Sequence, residues 1–393
     1  MTTELHSGQL YTEENLFAQG VMSGEFAFIA QDARRSDGLS LAASLEDQTR
    51  RTLENLDLAL KTADMNREHI ISLMVYLPDY SGARRVAEIV NTAFGEKNDK
   101  QPAKTFIKVA ALEDGCSVRM DAIATSSGDR EPILLTNLPF DSGSRCHGVR
   151  AGSFFFLSGV DAANDRGECL PTSTIRSQTA EVLARIQKVL EHQKLSLGDL
   201  CRTVVFMPNQ NCRTGFGEVR GHVYTGIFSE NEYPPNSGIY VGDLGANVLL
   251  RSVATAYRGP KTIVASPRVR NSPGSFAQAV RVGDWLLLAG QNAMGLGRRV
   301  EAENNLAGQT DAALRHTKDI VEEAGGILND VVKVTVYLTA GQNRAEFVRA
   351  YREFFDCHAP GAKMPAGLTV EIGQLAPKCL VEVDAVAHLP GAR

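Results

Sequence analysis

The sequence predicts an α+β protein built from three tandem copies of one small domain. The first reason is repetition. Gln48-Thr49, Gln178-Thr179 and Gln309-Thr310 are followed, five residues on from each Gln, by Leu53, Leu183 and Leu314, and later by Val75-Tyr76-Leu77, Val205-Phe206-Met207 and Val336-Tyr337-Leu338. The offsets stay in step, 130 (178 − 48, 205 − 75) and then 131 (309 − 178, 336 − 205). That period is far longer than a solenoid unit and matches a whole domain. The second reason is that each copy reads as β-β-α-β-α-β-β. The third is that turn-rich stretches at 127–143 (Pro132, Pro139) and 258–275 (Pro260, Pro267, Pro273) separate the copies. Modules are therefore expected at 1–130, 131–262 and 263–393.

The elements follow in order. Gln278 to Val282 and Trp285 to Leu288 are β-prone runs on either side of Gly283-Asp284, which predicts a hairpin. The same turn recurs at Ser23-Gly24-Glu25 and Ala151-Gly152-Ser153. A helix comes next. In copy one Ser44 caps it, Asp47 reaches back, and Leu53, Leu56 and Leu60 form the apolar stripe. Val182, Leu183, Ile186, Val189 and Leu190 do the same in copy two, and Leu314, Ile320 and Val321 in copy three. A third strand, clearest from Val331 to Leu338, leads to a second helix that ends in aromatics such as Phe347, Tyr351, Phe354 and Phe355, a stripe expected to be core. Two strands close each copy, as at Lys104 to Ala110 and Ser117 to Ala124. Helices in that number cover one face of a mostly β sheet. Three tethered copies suggest a fused trimer, acting as one chain or as a pair of chains.

Composition bounds the function. Hydrophobic residues make up 43% and charged residues 22% of the chain, as in a globular protein that buries real cores. No run approaches the length of a membrane span, and the opening Thr2-Thr3-Glu4-Leu5-His6 lacks a signal-peptide core. A net charge of −5 argues against a broad nucleic-acid footprint. The seven cysteines are odd in number and lack CxxC spacing, which reads as reduced thiols in a cytoplasm and neither a disulfide frame nor a zinc site. His222, His316 and His358 lack metal-site spacing. Gly295, Gly297 and Arg298-Arg299 make a basic turn and not a phosphate-binding loop.

Copy three, through Phe276-Ala277-Gln278-Ala279-Val280, Leu288-Ala289-Gly290-Gln291 and Leu380 to Ala387, resembles the RidA family of YjgF-type reactive intermediate deaminases. Copy one is similar in Pro102-Ala103-Lys104 and Val118 to Ala124, and copy two in Phe156-Leu157-Ser158-Gly159-Val160. The resemblance implies a chorismate-mutase-like module that trimerises around packed sheets, here a pseudo-trimer, with clefts between neighbours. It also implies hydrolysis of enamines or imines to keto acids and ammonia, without metal or organic cofactor.

Carried over position by position, the family's carboxylate-binding Arg becomes Lys104, Asn236 and Gly367; a Lys offers a point charge where Arg grips bidentately. The acidic residue of the last strand becomes Asp121, Arg251 and Asp384, so Asp121 and Asp384 are the expected water-activating carboxylates. The tyrosine ahead of the first strand becomes Phe17, Arg145 and Phe276. Ser-Gly after the second strand becomes Ala30-Gln31, Ser158-Gly159 and Ala289-Gly290. The Cys two positions beyond the Arg becomes Phe106, Gly238 and Thr369.

These substitutions leave two readings open. One is an enzyme acting on a small anionic nitrogen-containing metabolite by imine hydrolysis, rearrangement or cyclisation. The other is a binding or scaffolding pseudo-trimer with degenerate sites. A Ser-Lys dyad in each copy, as in three-repeat ring-opening amidohydrolases, does not recur here. Lys104 with Asp121 is an anion anchor plus base, or an interdomain ion pair. Arg145 and Arg251 are an anion clamp, or surface and bridging arginines. Ser158 donates to substrate or ends a strand; no nucleophile elbow surrounds it. His147, two residues from Arg145, is either at the cleft or an ordinary core histidine.

Overall fold

The computed structural model describes residues 2–12, 16–37, 41–95, 97–140, 143–229, 232–272 and 276–391. Pro273 of the second boundary stretch lies outside them.

Module 1 runs β1 (Thr2–Leu5), β2 (Gly20–Ser23), β3 (Phe26–Asp32), α1 (Leu45–Lys61), β4 (Ile70–Leu77), α2 (Ala83–Ala93), β5 (Ala103–Lys108) and β6 (Arg119–Thr125). Module 2 repeats it as β7 (Arg130–Ile133), β8 (Gly148–Ala151), β9 (Phe154–Leu157), α3 (Ile175–His192), β10 (Leu200–Met207), α4 (Cys212–Thr225), β11 (Asn236–Tyr240) and β12 (Arg251–Tyr257). Module 3 has β13 (Thr262–Val264), β14 (Ala279–Val282), β15 (Trp285–Leu288), β16 (Gln291–Asn292), α5 (Leu306–Glu323), β17 (Val331–Thr339), α6 (Arg344–His358), β18 (Ala366–Ile372) and β19 (Val381–His388). The three sheets share one order: β1-β2-β3-β6-β4-β5, β7-β8-β9-β12-β10-β11 and β13-β14-β15-β19-β17-β18. Each therefore carries one more edge strand than the repeat pattern showed. Those strands, β1, β7 and β13, are short, and two of them lie in or beside the proline-rich stretches. Pro132 is tolerated in β7 because an edge strand needs no donor on its free side.

Local chemistry explains the elements. Each hairpin turns through two residues, and Gly24, Gly152 and Gly283 all sit at φ +56°, a left-handed conformation that costs glycine little. Ser44 caps α1, accepting from the Asp47 amide at 3.1 Å, while Leu53, Leu56 and Leu60 are buried. In each module the helices pack on one face of the sheet over a core of its own. The other faces of the three sheets meet. Phe26, Phe154 and Trp285, at corresponding hairpin positions, converge with ring centroids 5.5 Å (Phe26–Phe154) and 5.2 Å (Phe26–Trp285) apart. The rest of this shared core joins Tyr76, Phe206 and Tyr337 with Ile107, Ile239 and Leu368. The arrangement is a pseudo-threefold trimer inside one chain.

Edge strands join neighbouring modules. Ala18 bridges to Ala366, Ala111 to Glu371 and Tyr240 to Gln374, and the Gly159 amide donates to the Lys104 carbonyl at 3.1 Å. The β5-type edge of one module meets the hairpin end of the next at Ala366–Ala18, Lys104–Gly159 and Ser237–Gly290, while Ala111–Glu371 and Tyr240–Gln374 join the ends of β5-type strands to one another.

Candidate active site

Strand register fixes which residues correspond. Met74 pairs with Asp121, Val204 with Val253 and Thr335 with Asp384. Two residues earlier, Tyr76 pairs with Arg119, Phe206 with Arg251 and Tyr337 with Glu382. Arg251 therefore corresponds to Arg119 and Glu382, and not to Asp121 and Asp384, whose counterpart is Val253. All six face the axis, because a two-residue step along a strand returns to the same side.

Asp121 and Asp384 lie deep between the sheets and are neutralised there. Asp121 binds the Lys333 ammonium at 2.5 Å, and Asp384 binds the Arg202 guanidinium and accepts from Ser237 Oγ at 2.5 Å. Both carboxylates are buried, beside an axial cavity of about 80 Å³ whose wall includes Asp121, Arg202, Lys333 and the aromatic hairpins. Their geometry is that of ion pairs between modules. The expected partnership of Lys104 with Asp121 also fails. Lys104 pairs in register with Leu73, a residue of the helix-side core, whereas Asp121 faces the axis.

The boundary between modules 1 and 2 is filled. Lys104 is fully buried, donates its ammonium to Gln101 and lies 5.7 Å from the Phe94 ring centre. Burial pulls its pKa down to about 8. Arg251 is equally buried and donates to Asp161 (3.1 and 2.7 Å), the Phe106 carbonyl (2.7 Å) and Tyr80 Oη (2.7 Å). Ser158 Oγ bonds the Cys146 carbonyl (2.7 Å) and Ser144 Oγ (3.0 Å) and accepts from the Lys104 amide (3.2 Å). Gly159 is tied to the Lys104 carbonyl, and a space of about 20 Å³ remains against module 2. Arg145 is half-buried beside this cluster. His147 engages both ring nitrogens with backbone, at the Leu135 amide (3.1 Å) and the Leu138 carbonyl (3.1 Å). These residues hold two modules together.

The boundary between modules 3 and 1 fills itself with charge. Glu113 binds Arg344 (2.7 Å), Arg119 (2.9 Å) and Arg34 (3.3 Å), and Asp32 and Asp114 bind Arg34 as well. Phe17 packs on Tyr351 at 5.5 Å and covers Gly367, where a Cβ would lie 2.6 Å from the ring. About 30 Å³ is left.

The boundary between modules 2 and 3 is open. A cleft of about 160 Å³ separates Asn236, Gly238, Arg213 and Arg220 of module 2 from Arg270, Phe276, Gly290, Asn292 and Glu382 of module 3. Of the residues named from the sequence, Asn236, Phe276 and Gly290 meet here. Glu382 is 4% exposed and accepts from Asn292 Nδ2 at 2.9 Å. Burial pushes its carboxyl up to about 7, against the opposing pull of Asn292, Arg213 and Arg270. Gly290 makes the room: a Cβ there would sit 2.2 Å from Glu382 Oε1. Its amide is held by Ser237 Oγ at 2.8 Å, so the module 2 edge strand fixes the floor of the cleft.

Arg220 comes from inside α4. The corresponding helix positions, thirteen residues after Leu77 and Leu338, hold Val90 and Tyr351, so the sequence places a guanidinium where its sister copies place core side chains. It is 7% exposed and stacks on Phe216 at 4.9 Å, and its Nε has no hydrogen-bond partner. Burial and Arg213 lower its proton affinity, and burial with Arg298 and Arg213 does the same for Arg270. The sequence reading missed Glu382, Arg213, Arg220 and Arg270. Comparing the α4 and α6 repeats would have flagged Arg220.

No group of three or more His, Cys, Asp and Glu among the described residues could hold a metal ion. No helix of the described residues is long and apolar enough to cross a membrane.

Relatives fit this architecture copy by copy. Residues 11–126, 141–257 and 269–389 each match the family described as Endoribonuclease L-PSP. A RutC family protein of Pyrococcus abyssi is 33% identical over 128 residues, which is 33% of this chain and 97% of that protein. A 2-iminobutanoate/2-iminopropanoate deaminase of Dermatophagoides farinae is 27% identical over 127 residues, 32% of this chain and 95% of that protein. At the level of fold, a crystal structure of chorismatase superposes with a TM-score of 0.56 at 15% identity, covering 81% of this chain and 93% of that one. With three matches spanning most of its length, the chain belongs to the endoribonuclease L-PSP (RidA/YjgF) family, as three tandem modules.

Proposed function

We propose that the chain is an enzyme that hydrolyses the enamine or imine form of a small anionic metabolite to a keto compound and ammonia, at the cleft between modules 2 and 3. One observation carries this reading. A buried carboxyl with a pKa of about 7 faces arginines that have no ion-pair partner among the described residues. The arginines hold the substrate anion. Glu382 in its carboxylate form takes a proton from water as the water oxygen bonds to the imine carbon, and the C=N electron pair moves to nitrogen. Glu382 returns that proton to the nitrogen, giving a carbinolamine; it then takes the carbinolamine hydroxyl proton and passes it to the amine as the C–N bond breaks, so that ammonia leaves and the carbonyl forms. Asn292 orients Glu382, and the Asn236 amide faces it across the cleft, where it can bond the departing nitrogen. The relative that acts on 2-imino acids supports the reaction class.

The other two boundaries are structural in this reading, since their charged groups already satisfy one another. The small size of the cleft and the net charge of −5 favour a metabolite over RNA. A coupled assay tests the reaction. An amino-acid oxidase generates the imine in situ, semicarbazide traps what survives, and added enzyme lowers the trapped fraction while keto acid and ammonia rise. No acceleration over buffer with any anionic imine or enamine would refute it.

A further inference from the structure

The two charged boundaries differ in the carboxylates they hold, and one of the differences can be traced to a single position. Glu113 lies six residues before Arg119, and the residue six before Glu382 is Ala376, on the rim of the open cleft. Arg344 lies six residues after Leu338, and six after Met207 comes Arg213. In the closed boundary Glu113 therefore reaches across to Arg344 and binds it at 2.7 Å, leaving that arginine half-buried. In the open cleft the methyl of Ala376 stands where that carboxylate would start, and Arg213 is exposed at the mouth.

The charge balance says the same. At the closed boundary Arg34, Arg119 and Arg344 meet Asp32, Glu113 and Asp114. Among the described residues, the open cleft gathers Arg213, Arg220 and Arg270 around a single carboxylate, Glu382. Two negative charges are lacking. Buried cations are costly unless paired, and Arg220 is buried with a donor unused.

We propose that the cleft between modules 2 and 3 takes a substrate bearing two carboxylates, one against Arg213 as Glu113 sits against Arg344, the other reached by Arg220 and Arg270. This rests on the cleft being the active site, and it adds the substrate class. At roughly 10–15 Å³ per water-sized site, the 160 Å³ cleft has room for about 11–16 such sites, enough for a four- or five-carbon dicarboxylate.

Calorimetry with 2-oxoglutarate and 2-oxobutanoate, stable analogues of the two classes of product, tests it. The dicarboxylate is expected to bind at least tenfold more tightly. Arg220→Leu, which replaces the guanidinium with the kind of apolar residue its sister copies carry, lowers dicarboxylate affinity about ten- to a hundredfold and narrows the preference. Ala376→Glu supplies the missing carboxylate from the chain itself and closes the site to the dicarboxylate, with a melting curve confirming the fold. Equal affinity for both acids, no binding of either, or an Ala376→Glu protein that binds 2-oxoglutarate as well as wild type would each overturn the proposal. The reaction is judged separately: turnover of monocarboxylic imines without dicarboxylate preference keeps the chemistry and removes this inference. Tight 2-oxoglutarate binding without any imine turnover does the reverse.

Discussion

Glu382→Gln should abolish the proposed imine hydrolysis and stabilise the protein, and the two effects should share one pH dependence. The folded carboxyl titrates near 7, against 4.5 for an ordinary glutamate, because burial disfavours its charge. Below 4.5 it is protonated in both folded and unfolded chains and contributes nothing to the balance. As pH rises toward 7 the unfolded chain releases its proton first, so the folded state loses ground until it too ionises. At about 1.4 kcal/mol per pH unit, the gap costs about 3 kcal/mol at pH 8. Gln keeps the shape and the polarity without the charge. With about 2 cal/mol/K of unfolding entropy per residue over 393 residues, relief of that cost raises Tm by about 4 °C at pH 8 and by almost nothing at pH 4.5. The wild-type kcat/KM for imine hydrolysis should rise through a midpoint near 7, since the base form does the work. Glu382→Gln should lose about 10²–10⁴-fold and flatten that limb. Calorimetric melting at the two pH values and a kcat/KM profile check both halves. A variant that is destabilised at pH 8, or that keeps the wild-type profile, would refute the reasoning.

Further outcomes follow from the same geometry. Gly290→Ala should cut turnover nearly as far as Glu382→Gln, because its new methyl overlaps Glu382 Oε1; steady-state kinetics decide this. Asp384→Ala should leave kcat/KM within a few-fold while costing on the order of 3 kcal/mol by denaturant unfolding, since it strands the half-buried Arg202. Lys104→Met should leave substrate affinity unchanged. It should also stabilise the chain increasingly as pH falls from 10.5 to about 8, where the unfolded chain takes up a proton that the buried amine does not, and by a constant amount below that; melting curves across pH 6–10 test it. Titration with the true substrate or product should return one site per chain, and three equal sites would contradict the assignment.

Much of the fold was legible because its signals are local. The repeat is written in the residues themselves, Gly24, Gly152 and Gly283 each announce a two-residue turn, and Ser44 marks a helix start. The extra edge strands were not, since three or four residues around Pro132 carry no alternation. Of the candidate site, Asn236, Phe276 and Gly290 were named from motifs, and they line one cleft. The choice of Asp384 over Glu382 shows the limit. Both point to the same side of β19, so a pattern of period two cannot tell them apart, and only the pairing with Tyr337 and Thr335 does. Arg213 and Arg220 escape for another reason. They enter the site from the neighbouring module, and nothing in the spacing of one module says which face of the next it meets.

The ion pairs around the axis bear on how such a chain could ever come apart. Two boundaries match a residue of one module's β4-type strand with the next module's last strand, Arg202 with Asp384 and Lys333 with Asp121; the corresponding residues of the third, Ser72 and Val253, both line the axial cavity and carry no charge. Cut free and made to associate with its own copies, module 3 would still match Lys333 to Asp384. Module 1 would set Ser72 against Asp121, and module 2 would set Arg202 against Val253, burying three uncompensated charges in each case, at several kcal/mol apiece. Only the third module retains the means to form a trimer of its own. The other two match their neighbours and not themselves, so identical copies of either would not rebuild these pairs, whereas one copy of each module keeps all of them.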